Sequence, residues 1–339
     1  MTNFICTLIA FITALTSVFS GGALADEMKN KGDISGFAET VNVQKDLPDL
    51  YTDENGDFTV LQFTDTHFTT GISLSDISTL QKMEKLTEKY DPDLVVVSGD
   101  MIDDGNDGQF NKAYVLRTVA EFFEDADQYW SYVPGNNDGI NYGSSADVVA
   151  YLSQYEHCLV SDEPDISGGC QYSIDLYNGN QMTHSLIFID TMDYDNEDPD
   201  HKYGYVHADQ VNWCKEEIAS KKLLNENVYM SVFLHENTPD FARAAKKGEA
   251  YKFGYPTLMI RPESYNIPKN QPLDDVFSES GCVGLLSMGH NHPLTVQCSF
   301  YNGTYYHVTP KTVIASTLIT IHTESDNTRE MYDFEAVYM

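Results

Sequence analysis

The chain of 339 residues is 42% apolar and 12% aromatic, enough to build the core of one large α/β domain or two modest ones. Its 52 acidic and 20 basic side chains give a formal net charge of -32 and a pI near 4.3. A surface this acidic repels phosphate backbones and anionic lipid at long range. The composition therefore argues against nucleic acid and anionic membranes as partners.

Residues 1–25 carry no charged side chain and contain an apolar run followed by the small residues Ala23 and Ala25. The run is short for a membrane span, and small residues two apart are typical of a signal-peptidase site. Residues 1–25 are therefore predicted to be a signal peptide, with a retained anchor as the alternative, and residues 26–56 a polar N-terminal lead-in. The mature protein is expected to be secreted or to lie in an endomembrane or vacuolar lumen, without stable membrane association.

Five cysteines remain after removal of the signal peptide, and an exported compartment permits disulfides. The short loops from Cys158 to Cys170 and from Cys282 to Cys298 make these the natural pairs, with Cys214 as a buried thiol. The sequence alone does not fix this connectivity.

The first half of the folded part alternates between strand and helix patterns. Buried β-branched runs predict strands, and apolar residues at helical spacing predict helices. The predicted elements are strand Phe58–Thr64, helix Ser75–Lys89, strand Leu94–Val97, helix Gln109–Phe123, strand Trp130–Val133 and helix Ala146–Tyr155. Strands joined by helices call for right-handed crossovers and a parallel sheet.

From Gln171 onward the pattern indicates a second sheet. An alternating strand at Tyr172–Leu176, a turn, and an apolar run at Ser185–Ile189 predict an antiparallel hairpin. The elements predicted after it are helix Ala208–Lys222, strand Val228–Leu234, short helix Pro239–Lys247, loop Tyr251–Phe277, and strands Val283–Met288, Leu294–Phe300, Thr304–Val308, Ile314–His322 and Met331–Tyr338. No linker divides the chain, so residues 57–339 are predicted to form one α/β domain with two packed sheets.

Five of the predicted strands stop at residues able to bind a metal ion. These residues are Asp65 and His67, Asp100, Asn136, His235, and His290 and His292. Ligands of open α/β sheets bind at the carboxyl ends of strands, and residues i and i+2 share one side of an extended chain. The mixed nitrogen and oxygen donors suit hard and borderline divalent cations. Two such ions about 3.5–4 Å apart can clamp a phosphoryl group and acidify a bridging water that attacks phosphorus in line.

Five sequence blocks stand in a fixed order across residues 58–292. They are Asp65-x-His67, Gly99-Asp100, Gly135-Asn136-Asn137-Asp138, His235, and Gly289-His290-Asn291-His292. As a set they resemble the signature of the calcineurin-like metallophosphoesterases, and the resemblance implies a four-layer sandwich of two mixed β-sheets flanked by helices. It also implies two divalent or mixed-valence ions of iron, zinc or manganese. One ion would be held by Asp65, His67, Asp100 and His292, and the other by Asp100, Asn136, His235 and His290.

Three further segments are similar to the non-purple relatives of purple acid phosphatases within that family. They are Glu156–Leu159 before a glycine-rich stretch, Gln210–Trp213 after Tyr203-Gly204-Tyr205, and Phe233–His235 followed by Thr238–Phe241. Asp103 stands where the purple enzymes have a tyrosine ligand, so an iron–tyrosinate chromophore is not expected.

One block departs from the family pattern. Most relatives have a histidine after the Gly-Asn pair, which contacts phosphate and can protonate the leaving group, whereas this chain has Asn137 followed by Asp138. The resemblance makes Asn137 and Asp138 the expected catalytic residues. An amide donates a hydrogen bond to a phosphoryl oxygen but delivers no proton near neutral pH. Good leaving groups, including the phosphates of an anhydride, are therefore expected to be cleaved best.

Two classes of function remain open at this point. The first is an exported two-metal phosphoesterase acting on a small phosphorylated substrate, foremost a phosphomonoesterase of broad specificity, with phosphodiester and polyphosphate cleavage as rivals. The second is a weakened family member that keeps its metals and binds a phosphorylated ligand without efficient turnover. Retention of all seven ligand residues favours the first, and Asn137 favours the second.

Overall fold

The computed structural model describes residues 34–40, 43–69, 73–103, 112–139, 143–163, 165–193, 203–251 and 268–338. Its strands are Leu50–Tyr51 (β1), Asp57–Phe63 (β2), Leu94–Ser98 (β3), Trp130–Val133 (β4), Gln171–Asn178 (β5), Gln181–Ile189 (β6), Tyr229–Phe233 (β7), Glu249–Ala250 (β8), Val283–Met288 (β9), Gln297–Tyr301 (β10), Thr304–Val308 (β11), Ser316–His322 (β12) and Tyr332–Val337 (β13). The helices of these described parts are Leu74–Tyr90 (α1), Lys112–Asp125 (α2), Ser145–Leu152 (α3), Ala208–Leu224 (α4), Pro239–Lys247 (α5), Gln271–Ser280 (α6) and Thr328–Met331 (α7). The predicted signal peptide lies outside the described residues.

The strands form two mixed sheets, as predicted. The smaller has five strands in the order β13-β12-β2-β3-β4, with β2, β3 and β4 parallel to one another. The larger has eight strands in the order β1-β5-β6-β7-β9-β11-β10-β8, with β6, β7, β9 and β11 parallel. Each sheet thus contains a parallel block whose strands end at one common edge.

Alternate residues of the central strands separate the layers of the sandwich. Leu186 and Phe188 of β6 pack into the core that contains the five-stranded sheet and α1 to α3. Ile187 and Ile189 pack into a second core with α4, α5 and α6. Since successive residues of a strand point to opposite faces, the eight-stranded sheet is covered on both sides. The order of layers is helix, sheet, sheet, helix, which confirms the predicted four-layer sandwich.

Local sequence explains where the helices begin and end. Ser73 and Asp76 form a capping box at the start of α1, and Ser144 and Asp147 form the same arrangement at the start of α3. The helix α1 ends at Asp91, which has left-handed backbone angles and is followed by a proline. Of the residues that the structure describes, no helix is both long and apolar enough to cross a membrane.

The predicted loop Tyr251–Phe277 is wrong at its carboxyl end. Residues 268–270 form a 3-10 turn, and α6 begins at Gln271. Pro272 favoured a loop in the sequence, but it lies in the first turn of the helix, where the missing N–H costs no hydrogen bond. Residues 252–267 of this prediction lie outside the described part.

The cysteines that the sequence pairs naturally are separate thiols in the structure. Cys282 precedes β9 and Cys298 lies on β10, with β11 between those strands. Two strand spacings amount to about 9.6 Å, beyond the reach of a disulfide. Cys158 and Cys170 are also free and buried, and burial raises the pKa of both thiols.

Part of the predicted lead-in is attached to the domain. Leu50 and Tyr51 of β1 pair in parallel with Leu176 and Tyr177 of β5, and so extend the eight-stranded sheet by one edge strand. This pairing was not expected, because a strand of two residues has too little sequence to show a period.

Candidate metal centre

All seven candidate ligands lie just beyond the carboxyl ends of strands in the parallel blocks. Asp65 and His67 follow β2, Asp100 follows β3, Asn136 follows β4, His235 follows β7, and His290 and His292 follow β9. The two sheets bring these ends to one place. The centre is therefore a junction between the sheets, built by four of its ligands from one and three from the other.

The ligand backbone is held in an uncommon conformation. Nine non-glycine residues of the described chain have positive φ, and five of them are Asp65, His67, Asp100, His290 and His292, with φ from 45° to 61°. The left-handed region costs a non-glycine residue on the order of 1–3 kcal/mol and persists only where the surrounding structure requires it. The spacing of Asp65 and His67, and of His290 and His292, had suggested an extended chain. In the structure both pairs instead lie in left-handed turns.

One group of four ligands surrounds Asp65. Its Oδ1 atom lies 2.7 Å from His292 Nε2 and 3.7 Å from His67 Nε2. His67 Nε2 in turn lies 3.8 Å from Asp100 Oδ2. The donor atoms of these four residues all lie within 4.8 Å of one another, close enough to share one cation.

A second group surrounds the other oxygen of Asp100. Asp100 Oδ1 lies 3.5 Å from His235 Nε2, and these two residues form a cluster with His290 whose donor atoms lie within 4.8 Å. Asn136 Oδ1 lies 2.9 Å from His290 Nδ1 and so joins this group. Because Asp100 directs one oxygen to each group, it is placed to bridge two cations.

Hydrogen bonds across the sheets set the orientation of these ligands. The Nδ1 atom of His235 lies 2.8 Å from the carbonyl oxygen of Ser98, which can only accept a hydrogen bond. His235 Nδ1 must therefore carry a proton, and the neutral ring presents the lone pair of Nε2 to the centre. A second hydrogen bond orients Asp65, because the backbone N–H of His290 donates to Asp65 Oδ2 at 2.9 Å.

Three glycines give the ligands room. A methyl group at Gly99 would lie 2.3 Å from His235 Nδ1, and one at Gly135 would lie 2.2 Å from Asp100 N. A methyl group at Gly289 would lie 2.6 Å from Asp65 Oδ2. In the sequence each of these glycines directly precedes a candidate ligand, and that position is the signal of their role.

The electrostatics of the centre favour positive charge. Burial raises the pKa of Asp100, but the charges of His235 and His67 and the hydrogen bond from Asn137 N outweigh it, so the pKa lies below the ordinary value. Burial lowers the pKa of His235, yet Asp100 and Asp65 outweigh it and raise the pKa to about 10. The pKa of the buried Asp65 is also lowered, so the centre holds two carboxylates that favour the ionised form and attract cations.

Asn137 and Asp138 occupy different places. Asn137 is half-buried, and both its N–H and its Nδ2 donate to Asp100, to Oδ1 at 2.9 Å and to Oδ2 at 2.8 Å. Asp138 is fully buried and accepts from Ile102 N at 2.9 Å and from Gly135 N at 2.8 Å. Both Asp138 oxygens thus accept from backbone N–H groups, and the catalytic role expected for Asp138 from the sequence stays a prediction.

The residues present fit a pair of divalent cations. The donors are carboxylate, amide and imidazole, the set that zinc, iron and manganese accept. His235 Nε2 is fully buried and has no hydrogen-bond partner within the described residues, which suits a ligand atom aimed at a cation. The clusters show which residues could hold the ions, and the identity of the metals is not fixed by them.

Solved structures of similar fold include a dimetal phosphatase from Danio rerio. It matches 78% of this chain and 95% of its own length, with a TM-score of 0.54 and 12% sequence identity. A Staphylococcus aureus protein assigned as a 5′-nucleotidase, solved with alpha-ketoglutarate, matches 83% of this chain with a TM-score of 0.49 and 13% identity. The present chain spans about half of that protein, 53% of its length.

A comparison with curated protein sequences gave no match. The family model of calcineurin-like phosphoesterases matches residues 58–294. This range contains the five blocks and most of both sheets. The chain therefore belongs to the calcineurin-like phosphoesterase family.

Proposed function

We propose that this protein is an exported two-metal phosphoesterase that hydrolyses small phosphate monoesters. The observation that carries the proposal is the convergence of seven donor side chains at the junction of the sheets, with Asp100 directed at both groups. A structural role for these residues would not require five left-handed backbones or two ionised buried carboxylates.

When bound, two divalent ions would polarise the phosphoryl oxygens and make a water molecule nucleophilic at neutral pH. The protein's own residues fix the positions at which this happens. Asp65 and Asp100 supply the negative charge, and His235 is held in one tautomer by Ser98 O. This rigidity reduces the reorganisation needed when charge develops on the substrate.

Asn137 is half-buried, whereas its neighbours Asn136 and Asp138 in the third block are buried. Its Nδ2 group donates to Asp100 Oδ2 at 2.8 Å, so the amide lies directly beside the carboxylate that is shared by both ligand groups. The amide cannot protonate a leaving group, so the proposed enzyme depends on leaving groups of low pKa, such as phenols. Asp138 acts as a positioning residue that holds the Gly135 turn beneath Asn136 and Asn137.

The test is hydrolysis by the purified mature protein of an aryl phosphomonoester, the matching diester, and polyphosphate, with and without added Mn²⁺ or Zn²⁺. Metal-dependent cleavage with the monoester preferred is expected. Asp93→Asn, a change of an exposed acid at the amino end of β3, serves as the matched control for Asp100→Asn. Preferred cleavage of diester or polyphosphate would replace the substrate class, and no cleavage of any of the three would contradict the proposal.

A second candidate is a binder of phosphorylated ligands with little turnover. Asn137 favours it, because the amide lacks the proton that a histidine would deliver. The two candidates differ in one measurement. Metal-loaded protein that binds inorganic phosphate but cleaves none of the three substrates would support the binder.

Export is proposed from the uncharged residues 1–25 alone. Expression of the full chain in a eukaryotic host should release protein into the medium or a lumen. Its first residue should be Asp26, as determined by amino-terminal sequencing. A chain that keeps residues 1–25 and sediments with membranes would instead support the anchor.

A further inference from the structure

The turn that carries Lys311 is fastened to the residue before Asp65. Thr312 N donates to Thr64 O at 3.0 Å, Thr312 Oγ1 donates to the same oxygen at 2.9 Å, and Thr64 N donates to Thr312 Oγ1 at 3.1 Å. Thr64 Oγ1 itself donates to Asp65 Oδ2 at 3.0 Å. Thr312 follows Lys311 and Thr64 precedes Asp65, so these hydrogen bonds hold the Lys311 backbone close to the first ligand block.

The other side of this turn is also fixed. Ile314 N donates to Lys311 O at 2.7 Å, and Ala315 N donates to it at 3.2 Å. Lys82 of α1 donates to Val313 O at 2.5 Å. With contacts on both sides, the turn holds the base of the Lys311 side chain in one place.

The candidate metal centre is more exposed at two of its histidines than at its carboxylates. The side chains of His67 and His292 are 16% and 21% exposed, whereas those of Asp65 and Asp100 are 0% and 3% exposed. The centre thus opens on the side of His67 and His292. The charged group of Lys311 is close enough to His67 to interact with its imidazole electrostatically.

The ammonium group of Lys311 has no ion pair or hydrogen bond with another side chain of the described chain. The protein has 52 acidic residues for 20 basic ones, so a half-buried cation beside a carboxylate-rich centre is unusual in this chain. Other cations have assigned partners, for example Lys221, which is 2.7 Å from Asp175. A solvated surface lysine is the plain alternative, and it predicts no effect on anion binding.

We propose that Lys311 binds the second negative charge of a phosphate dianion held at the metal centre. This inference rests on the proposed function and narrows it to phosphomonoesters. A monoester carries two charges and three unsubstituted oxygens, so one oxygen can face Lys311 while others face the metals. A diester carries one charge, and its second ester group occupies the place of that oxygen. Lys311 is thus a specificity-determining residue that favours monoesters over diesters.

The direct test is calorimetric binding of inorganic phosphate to the metal-loaded protein above neutral pH, where phosphate is a dianion. Lys311→Met should weaken binding about tenfold, in line with the loss of one charge-assisted hydrogen bond. Lys311→Arg should retain most of the affinity because it keeps the charge. Lys215→Met removes an equal charge from the exposed face of α4 and should leave binding unchanged.

Steady-state kinetics give an independent readout. In Lys311→Met the kcat/KM ratio of aryl monoester to diester should fall about tenfold, with the change mainly in KM. Equal phosphate affinity in wild type and Lys311→Met, or an equal loss in Lys215→Met, would overturn the inference. Phosphate binding that depends on Lys311 in a protein without turnover would leave the inference standing and reject only the proposed activity.

Discussion

Buried histidines occur in two regions of this protein, and the two regions differ in charge. His235 in the candidate metal centre faces Asp100, and its pKa is raised to about 10. His184 and His307 lie between the sheets beside serines, and burial lowers the pKa of each to about 3. All three side chains are fully buried, so burial alone does not decide the charge.

The difference lies in the partners of each ring. His184 Nε2 is 2.9 Å from Ser231 Oγ, and His307 Nδ1 is 2.7 Å from Ser287 Oγ, and a neutral hydroxyl does not compensate an imidazolium. Around His235 the compensating groups are carboxylates. The region around His184 and His307 is therefore a neutral polar core, whereas the candidate metal centre is built to surround positive charge.

Removal of the carboxylate shared by both ligand groups should lower the metal affinity, and this is the largest effect that we expect. Asp100→Asn takes away the charge directed at both ligand groups. The affinity for Mn²⁺ or Zn²⁺, measured by calorimetry, should fall by more than about 100-fold. Loss of a residue that only hydrogen-bonds to a ligand costs up to about 100-fold, and loss of a ligand should cost more. Asp162→Asn is the matched buried control, because burial raises the pKa of Asp162 to about 7 and an amide replaces a partly neutral acid. Equal metal affinity in wild type and Asp100→Asn would contradict this account.

A histidine in place of Asn137 would add a group to the centre that can protonate a leaving group near neutral pH. Asn137→His should raise turnover of an alkyl phosphomonoester by about 100-fold, the lower end of general acid catalysis. The aryl ester should change little because its leaving group needs no proton. The ratio of the two rates is the readout, and a ratio like that of the wild type would argue against a missing general acid.

A methyl group at Gly99 should displace the ring of His235 but not the rings of His184 and His307. Gly99 has φ of 87°, and its methyl group would lie 2.3 Å from His235 Nδ1. Gly99→Ala should cost about 3 kcal/mol or more of unfolding free energy, from strain and overlap together. Gly179 also has positive φ, 59°, with nothing within 4 Å, so Gly179→Ala should cost only about 1 kcal/mol.

Urea unfolding of both variants tests this prediction. Gly99→Ala should in addition bind metal more weakly, whereas Gly179→Ala should bind it as the wild type does. Similar losses of stability in both variants would show that the contact with His235 has no energetic weight.

The smallest expected effect comes from His184 and His307, which should make the free energy of unfolding depend on pH. In the native state His184 and His307 take up protons only near pH 3, but their unfolded pKa is about 6.5. The unfolded state therefore binds more protons between these values, and stability is lost as pH falls from about 6.5 toward 3. Each histidine contributes a slope of about 1.4 kcal/mol per pH unit in that window.

His307→Gln should flatten this slope by its share, as measured by urea unfolding at several pH values. The readout is the difference in slope between variant and wild type, since the change also costs stability at every pH. An unchanged slope would mean that His307 is protonated in the native state.

Much of the fold could be predicted because its central strands leave a strong local signal. Leu94–Ser98 is apolar throughout until its last residue and is buried at every position, so its pattern has no rival reading. The helix α6 was missed because Pro272 and the absence of a clear period resemble a loop. The strand β1 was missed because two residues acquire a strand conformation only from their partner β5.

The convergence of the candidate ligands could be predicted from the ends of strands, but the environment of these side chains could not. The sequence places Asp65 and His67 two residues apart, yet only the fold imposes left-handed angles on both. The block motif also does not indicate that the Asp138 carboxylate is buried and accepts hydrogen bonds from the backbone. Lys311 belongs to no motif, and its turn lies beside the first ligand block because Thr312 contacts Thr64.

The most direct test of the account is the metal content of the purified mature protein. After loading with Mn²⁺ or Zn²⁺ and removal of the unbound ions, inductively coupled plasma mass spectrometry should find close to two ions per chain. Asp100→Asn, treated in the same way, should retain one ion or none. A wild-type protein without bound metal after loading would contradict the central claim that the junction of the two sheets is a dinuclear metal centre.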